Sequence, residues 1–188
     1  KRPDGFHNIF TIFERIDLFD RIVMDVIKDE IIIETDNKDI PRGKDNLAFK
    51  AAELFLKKFR VKRGLRIRIH KNIPVAAGLG GGSSDAATVL LGADRLFGLH
   101  LKKSELIPLA KKIGSDVAFF LEEASFAIGE GRGDIITPLK INKRFWHILI
   151  YPNIKVYTKD IYEKVKIDKN NTTPMFTNYC DKRIKLRN

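Results

Sequence analysis

Between Ile73 and Leu91 the chain reads IPVAAGLGGGSSDAATVLL, with four glycines inside the five residues Gly78–Gly82. Glycine loses more backbone freedom on folding than any other residue. A good helix former nevertheless follows at once. No other stretch limits so narrowly what the chain can fold into. Without a Cβ, backbone N–H groups can approach an oxyanion closely, and a helix N-terminus adds about half a positive charge. A strand, a glycine run and a helix start are therefore expected to build an anion site. Ser83 and Ser84 are placed to cap that helix or to donate to phosphate oxygens, and Asp85 reads as a first-turn acid that orients the loop. A merely flexible turn is the alternative, but four glycines exceed what such a turn requires.

Spacing removes the common phosphate motifs. A dinucleotide fingerprint needs G-x-G-x-x-G, but the sixth position from Gly78 is Ser83 and from Gly80 is Asp85. A Walker loop needs Gly-Lys-Ser/Thr, but Gly43 and Lys44 lead into Asp45, and no lysine follows Gly82 directly. The protein-kinase loop fails on the same glycine spacing.

The rest of the chain is read around this loop. Asp29–Asp36 is a β-branched strand, and Asp45–Phe59 an amphipathic helix with Leu47, Ala51, Leu54, Phe55 and Phe59 on one face and Asp45 or Asn46 as N-cap. Leu65–Pro74 alternates apolar and basic residues, the pattern of a half-exposed strand. Ser83–Phe97 and Lys103–Gly114 read as helices, the second with Pro108 against it. Ser125–Leu139 reads as two strands around a glycine turn. Phe145–Pro152 reads as a buried strand and Thr158–Lys166 as a helix. After Lys166 the pattern is that of a loop or linker. The first eight residues look like a turn entered from a strand upstream of Lys1. Strands and helices mix without regular βαβ alternation, so the fold class expected is α+β.

Composition sets outer bounds. The 188 residues are 44% hydrophobic, enough for a core, and no apolar run is long enough for a membrane helix. Cys180 is the sole cysteine, so no disulfide forms within the chain, and a reducing compartment is the simpler setting. A formal charge of +11 suits an anionic partner, though a lysine-rich solvated surface explains it equally well. His70, His100 and His147 show no metal-ligand grouping.

The run P-V-A-A-G-L-G-G-G-S-S-D-A-A resembles the phosphate loop of the GHMP kinases, and its triple glycine before Ser-Ser-Asp points to the branch acting on a CDP-linked methylerythritol. Lys1–Asp20, Gly114–Leu121 (GSDVAFFL) and Gly129–Leu139 (GEGRGDIITPL) resemble three further stretches of that branch in order and spacing. Phe6 stands where the branch has tyrosine, and Ala118 where it has proline. The resemblance implies a GHMP-kinase N-terminal domain of the ribosomal-protein-S5-domain-2 type over residues 1–150. Residues 151–188 would begin the linker and second domain. It also implies a preceding strand with a catalytic lysine.

The reaction implied is ATP-dependent phosphorylation of a tertiary 2-hydroxyl in non-mevalonate isoprenoid synthesis. ATP would lie on Pro74, Val75, Ala76, Ala77, Gly78, Leu79, Gly80, Gly81, Gly82, Ser83 and Ser84. Mg²⁺ would screen its phosphates, with no residue assigned to the metal. Lys71 and Asn46 are candidates for the adenine pocket; a strand-edge charge and a helix cap account for them as well. Asp116 would take the hydroxyl proton, although alone it reads as a first-turn acid. Phe6 and His7 would stack on and hydrogen-bond the cytosine of the small-molecule substrate. Tyr162 would stack opposite, with a packed helix aromatic as its alternative. Gly129, Gly131 and Gly133 would turn a hairpin beside the nucleotide. The setting implied is a bacterial cytoplasm, with a plastid as the alternative. The competing readings are another GHMP kinase, an inactive fragment of one, and a basic nucleic-acid-binding module. No membrane partner is expected.

Overall fold

A computed structural model describes residues 2, 3, 5 and 7–152. Among the described residues ten elements follow one another: β1 (Ile9–Glu14), β2 (Arg21–Ile27), β3 (Ile31–Thr35), α1 (Leu47–Lys58), β4 (Gly64–His70), α2 (Gly81–Phe97), α3 (Lys103–Ile113), α4 (Val117–Leu121), β5 (Phe126–Gly131) and β6 (Ile135–Leu139). The mixture is α+β, as expected.

The strands form two three-stranded sheets, β1-β5-β6 and β2-β4-β3. β4 is central in the second, antiparallel to β2 and parallel to β3. Its alternation works as read. Leu65, Ile67 and Ile69 are buried. On the other face Arg68 pairs with Asp25 of β2, and Arg66 lies 3.4 Å from Glu34 of β3. Opposite charges on neighbouring strands cover the outer face of the sheet.

The helices close the inner face. α1 starts at Asn46, whose side-chain oxygen accepts from the Ala48 N–H at 2.8 Å. Ala48, Ala51, Ala52 and Phe55 are buried along it. Against it α2 buries Ala86, Ala87, Val89, Leu90 and Ala93. Alanines on both helices let the backbones approach closely. Gly92 does the same toward β2, since a Cβ there would stand 2.7 Å from the Met24 sulfur. α3 forms despite Pro108. An interior proline costs about 3 kcal/mol, while burying Leu106 and Leu109 contributes about 1.5–3 kcal/mol each. Glu105 helps at the N-terminus by accepting from the Lys102 N–H at 2.9 Å.

Two expectations need correcting here. Phe145–Pro152 is not a buried strand. Trp146 is 99% exposed, Ile148 93% and Ile150 81%, and among the described residues no strand pairs with the segment. Its composition suits a strand, but a strand forms only against a partner that takes its hydrogen bonds. The helix of the glycine stretch begins at Gly81, not at the serines, so Ser83 and Ser84 lie inside its first turn and cap nothing. The Thr158–Lys166 helix and the tail after it lie outside the described residues.

Candidate active site

The glycine loop leaves β4 at Lys71 and enters α2 at Gly81. Three of its residues have left-handed backbones: Ala76 (φ 57°), Gly78 (φ 72°) and Gly80 (φ 69°). Left-handed Gly80 followed directly by helical Gly81 is the backbone pattern of an anion-binding nest. The first N–H groups of α2 have no acceptor within the helix and open at the same point.

The glycines serve different ends. A Cβ on Gly78 would meet nothing, so that side is open. A Cβ on Gly80 would stand 3.1 Å from the Phe120 ring, and one on Gly81 3.0 Å from Ile73 and 3.2 Å from the Lys71 ammonium. Gly80 and Gly81 are thus demanded from below, by packing. Gly78 faces open space, and a Cβ on Gly82 would meet only an ordinary contact with Leu47 at 3.5 Å.

α4 and the β5–β6 turn bring the second part of the site. Asp116 sits at the N-cap position of α4, yet its side chain makes no capping bond. A Cβ on Gly133 would lie 3.8 Å from its carboxyl oxygen, and one on Gly114 3.9 Å from the Ser83 hydroxyl. Ser83, Asp116 and the hairpin turn therefore converge beside the start of α2. Gly131 (φ 65°) and Gly133 (φ 91°) make that turn, which the Gly133 N–H closes onto the Glu130 carbonyl at 2.9 Å. Burial pushes the Asp116 carboxyl above its ordinary range. Among the described residues no cation stands against it to oppose the shift.

α4 is held from β1. The Phe13 ring packs against Phe119, tilted by 32° at 5.1 Å between centroids, and fills the room left by Gly129. Arg15 donates to the Glu122 carbonyl at 2.6 Å. The aromatic pair and the arginine fix the short helix, and with it Asp116.

Asn46 and Lys71, the residues expected at the adenine pocket, are both engaged within the chain. Asn46 is the α1 cap; its amide nitrogen donates to the Pro41 carbonyl at 2.7 Å, so both ends of the side chain are engaged. The Lys71 ammonium is buried and contacts the Asp20 and Asp85 carboxylates, the latter at 3.0 Å. Asp85 is therefore not a first-turn acid but the buried partner of Lys71. Burial, resisted by Lys71 and reinforced by Asp20, pushes its carboxyl up to about 6. His7 is half-buried just before β1. Phe6 and Tyr162 lie outside the described residues. Asp20 and Phe120 went unread as site residues, because their partners are far away in sequence.

Residues 46–123 match the family model of the GHMP kinases N terminal domain. A 4-diphosphocytidyl-2-C-methyl-D-erythritol kinase of Clostridium botulinum (strain Hall) is 46% identical over 169 residues, which are 90% of this chain and 60% of that protein. One from Caldicellulosiruptor saccharolyticus is 43% identical over 93% of this chain and 60% of its own length. The chain thus spans about 60% of the length of these curated relatives. A crystal structure of 4-(cytidine 5'-diphospho)-2C-methyl-D-erythritol kinase superposes with a TM-score of 0.68 at 35% identity, covering 88% of this chain and 58% of that one. A homoserine kinase from Cytophaga hutchinsonii shares the fold, with a TM-score of 0.60 at 16% identity over 80% of this chain and 53% of that one.

Proposed function

Because this chain carries a GHMP kinase N-terminal domain, we propose that it supplies the ATP site and catalytic base of a small-molecule kinase. The substrate is 4-diphosphocytidyl-2-C-methyl-D-erythritol, phosphorylated on its 2-hydroxyl. The observation that carries this reading is the convergence of two unlike groups. A nest and helix N-terminus open toward anions, and beside them stands a carboxyl with no partner among the described residues. Phosphoryl transfer needs mainly positioning and charge stabilisation. The backbone from Pro74 to Ser84 supplies the cradle for the triphosphate. Asp116 takes the hydroxyl proton as the acceptor oxygen attacks the terminal phosphorus and the bond to the ADP oxygen breaks. The names of the relatives support the CDP-linked substrate, with Phe6, His7 and Tyr162 as its contacts. Their bacterial sources suit a cytoplasmic setting.

Mg²⁺, on this reading, would be held by the phosphate oxygens of ATP together with at most one or two carboxylates. Among the described residues no group of three or more His, Cys, Asp or Glu could hold a metal. When bound it neutralises phosphate charge.

The test is ³¹P NMR of the chain with ATP, Mg²⁺ and the substrate, with Asp116→Asn as control. A new phosphomonoester signal is expected, and its rate should fall by roughly 10²–10⁴ in the variant, the usual contribution of a general base. A chain extended to the length of the relatives is assayed alongside. Absence of product from both chains, each folded, would exclude the reading.

A further inference from the structure

Lys71, Asp20 and Asp85 have side chains only 4%, 3% and 7% exposed. They come from three elements. Asp20 immediately precedes β2, Lys71 immediately follows β4, and Asp85 lies in α2. The β2–β4 register pairs Arg21 with His70 and so sets Asp20 beside Lys71. A buried ion pair is poor evidence for stability, since well-packed apolar residues often do as well; fixing one register is its best-attested use. The question is what is fixed here.

The two oxygens of Asp20 do different things. One accepts from the backbone N–H of Asn72 at 2.7 Å and of Ile73 at 2.9 Å, the first residues of the glycine loop. The other accepts from the Lys71 ammonium. That ammonium also donates to Asp85 at 3.0 Å, beyond the loop's far end. Both ends of the loop are therefore tied to one nitrogen. The same nitrogen packs beneath Gly81, where any Cβ would crowd it at 3.2 Å. Two carboxylates face one ammonium, so Lys71 brings no surplus positive charge to a phosphate; its contribution is geometric.

We propose that Asp20, Lys71 and Asp85 are a positioning triad that holds the glycine loop in its anion-accepting shape, with Lys71 acting from beneath the loop and not as a nucleotide ligand. The part of this that concerns ATP rests on the function proposed above. The experiment therefore reads the loop and the nucleotide separately. Amide hydrogen exchange is followed over residues 72–82, with the core amides of Ile67 and Leu90 as the folding control, and ATP affinity is measured by calorimetry on the same chains.

In Asp20→Ala the loop amides should exchange about tenfold faster or more, with core protection kept, and the ATP Kd should weaken by about tenfold or more. Asp20→Asn keeps an oxygen for the Asn72 and Ile73 amides and should recover most of both effects. Lys71→Arg keeps the charge but does not fit beneath Gly81; it should loosen the loop like Asp20→Ala. It also decides the matter if Asp20→Ala fails to fold. Unchanged loop exchange in the folded variants would overturn the triad. Faster exchange with an unchanged ATP Kd would overturn its role for the nucleotide. A loop that loosens as expected when neither this chain nor one extended to the relatives' length binds ATP would remove the kinase reading and leave the triad standing.

Discussion

Asp116 combines three properties that rarely coexist without a use: it is a carboxyl, it is partly buried, and among the described residues it has no partner. An ionised group in that position costs stability, and perturbed carboxyls concentrate at functional sites. Its folded value is raised by burial. As the proposed base it must be ionised, so the proposed activity should be present at high pH and lost as pH falls through that raised value; a kcat/KM profile of the chain extended to its relatives' length checks this. Asp116→Asn should lose the same factor of roughly 10²–10⁴ in rate and yet unfold at a higher urea concentration at pH 8, because the amide carries no charge to bury. Asp85 adds a pH effect on stability, which runs opposite to the effect on activity. Its value rises from 3.8 in the unfolded chain to about 6 when folded. The stability it contributes is full below about 4 and is lost as pH rises through about 6. Across the window this is on the order of 3 kcal/mol. Urea midpoints from pH 4 to pH 8 should fall less steeply in Asp85→Asn than in the unsubstituted chain.

At the scale of elements, the glycine loop separates conformational strain from packing. Gly78 and Gly80 have nearly the same φ, but only Gly80 has an aromatic ring against its missing side chain. Gly78→Ala should cost only the left-handed strain, about 1–2 kcal/mol. Gly80→Ala adds a clash with Phe120 in α4, and so should also shift the neighbouring Asp116. Thermal unfolding together with the turnover of each variant distinguishes them, with the larger loss of turnover expected for Gly80→Ala. The same elements show what the sequence could and could not reveal. β4 and α1 were legible because alternation and helical periodicity are local. β2 went unread because most of its residues are half-buried on both faces and show no alternation. The start of α2 was placed too late because glycine is a poor helix former, and only the packing of Gly81 over Ile73 and Lys71 explains its presence there. The site's loop and its acid were visible as motifs. The pairing of Asp20 with Lys71, 51 residues apart, had no local signal at all.

Taken as a whole, the chain's 44% hydrophobic content overstates its core. The segment after β6 carries much of the excess. Phe145 stacks edge-on against Phe126 of β5 at 5.8 Å, and His147 lies 3.2 Å from Glu14 of β1. The alternate residues Trp146, Ile148 and Ile150 are left in solvent. The residues alternating with them are half in solvent too, Phe145 at 47% and Leu149 at 48% exposed, so neither side of the segment is buried and only its apolar composition marked it so. Trp146 is the single tryptophan of the chain, so its fluorescence reports this segment and nothing else. With 99% of the residue exposed, its emission should match that of an indole in water, and iodide should quench it about as efficiently as it quenches a small model compound. Trp146→Ser should move the unfolding free energy by no more than about 0.5 kcal/mol, as for other surface positions. A blue-shifted, iodide-resistant emission would mean that the outer side of the segment is covered in solution. The apolar run would then belong to the core after all, and the serine variant would cost several times that amount.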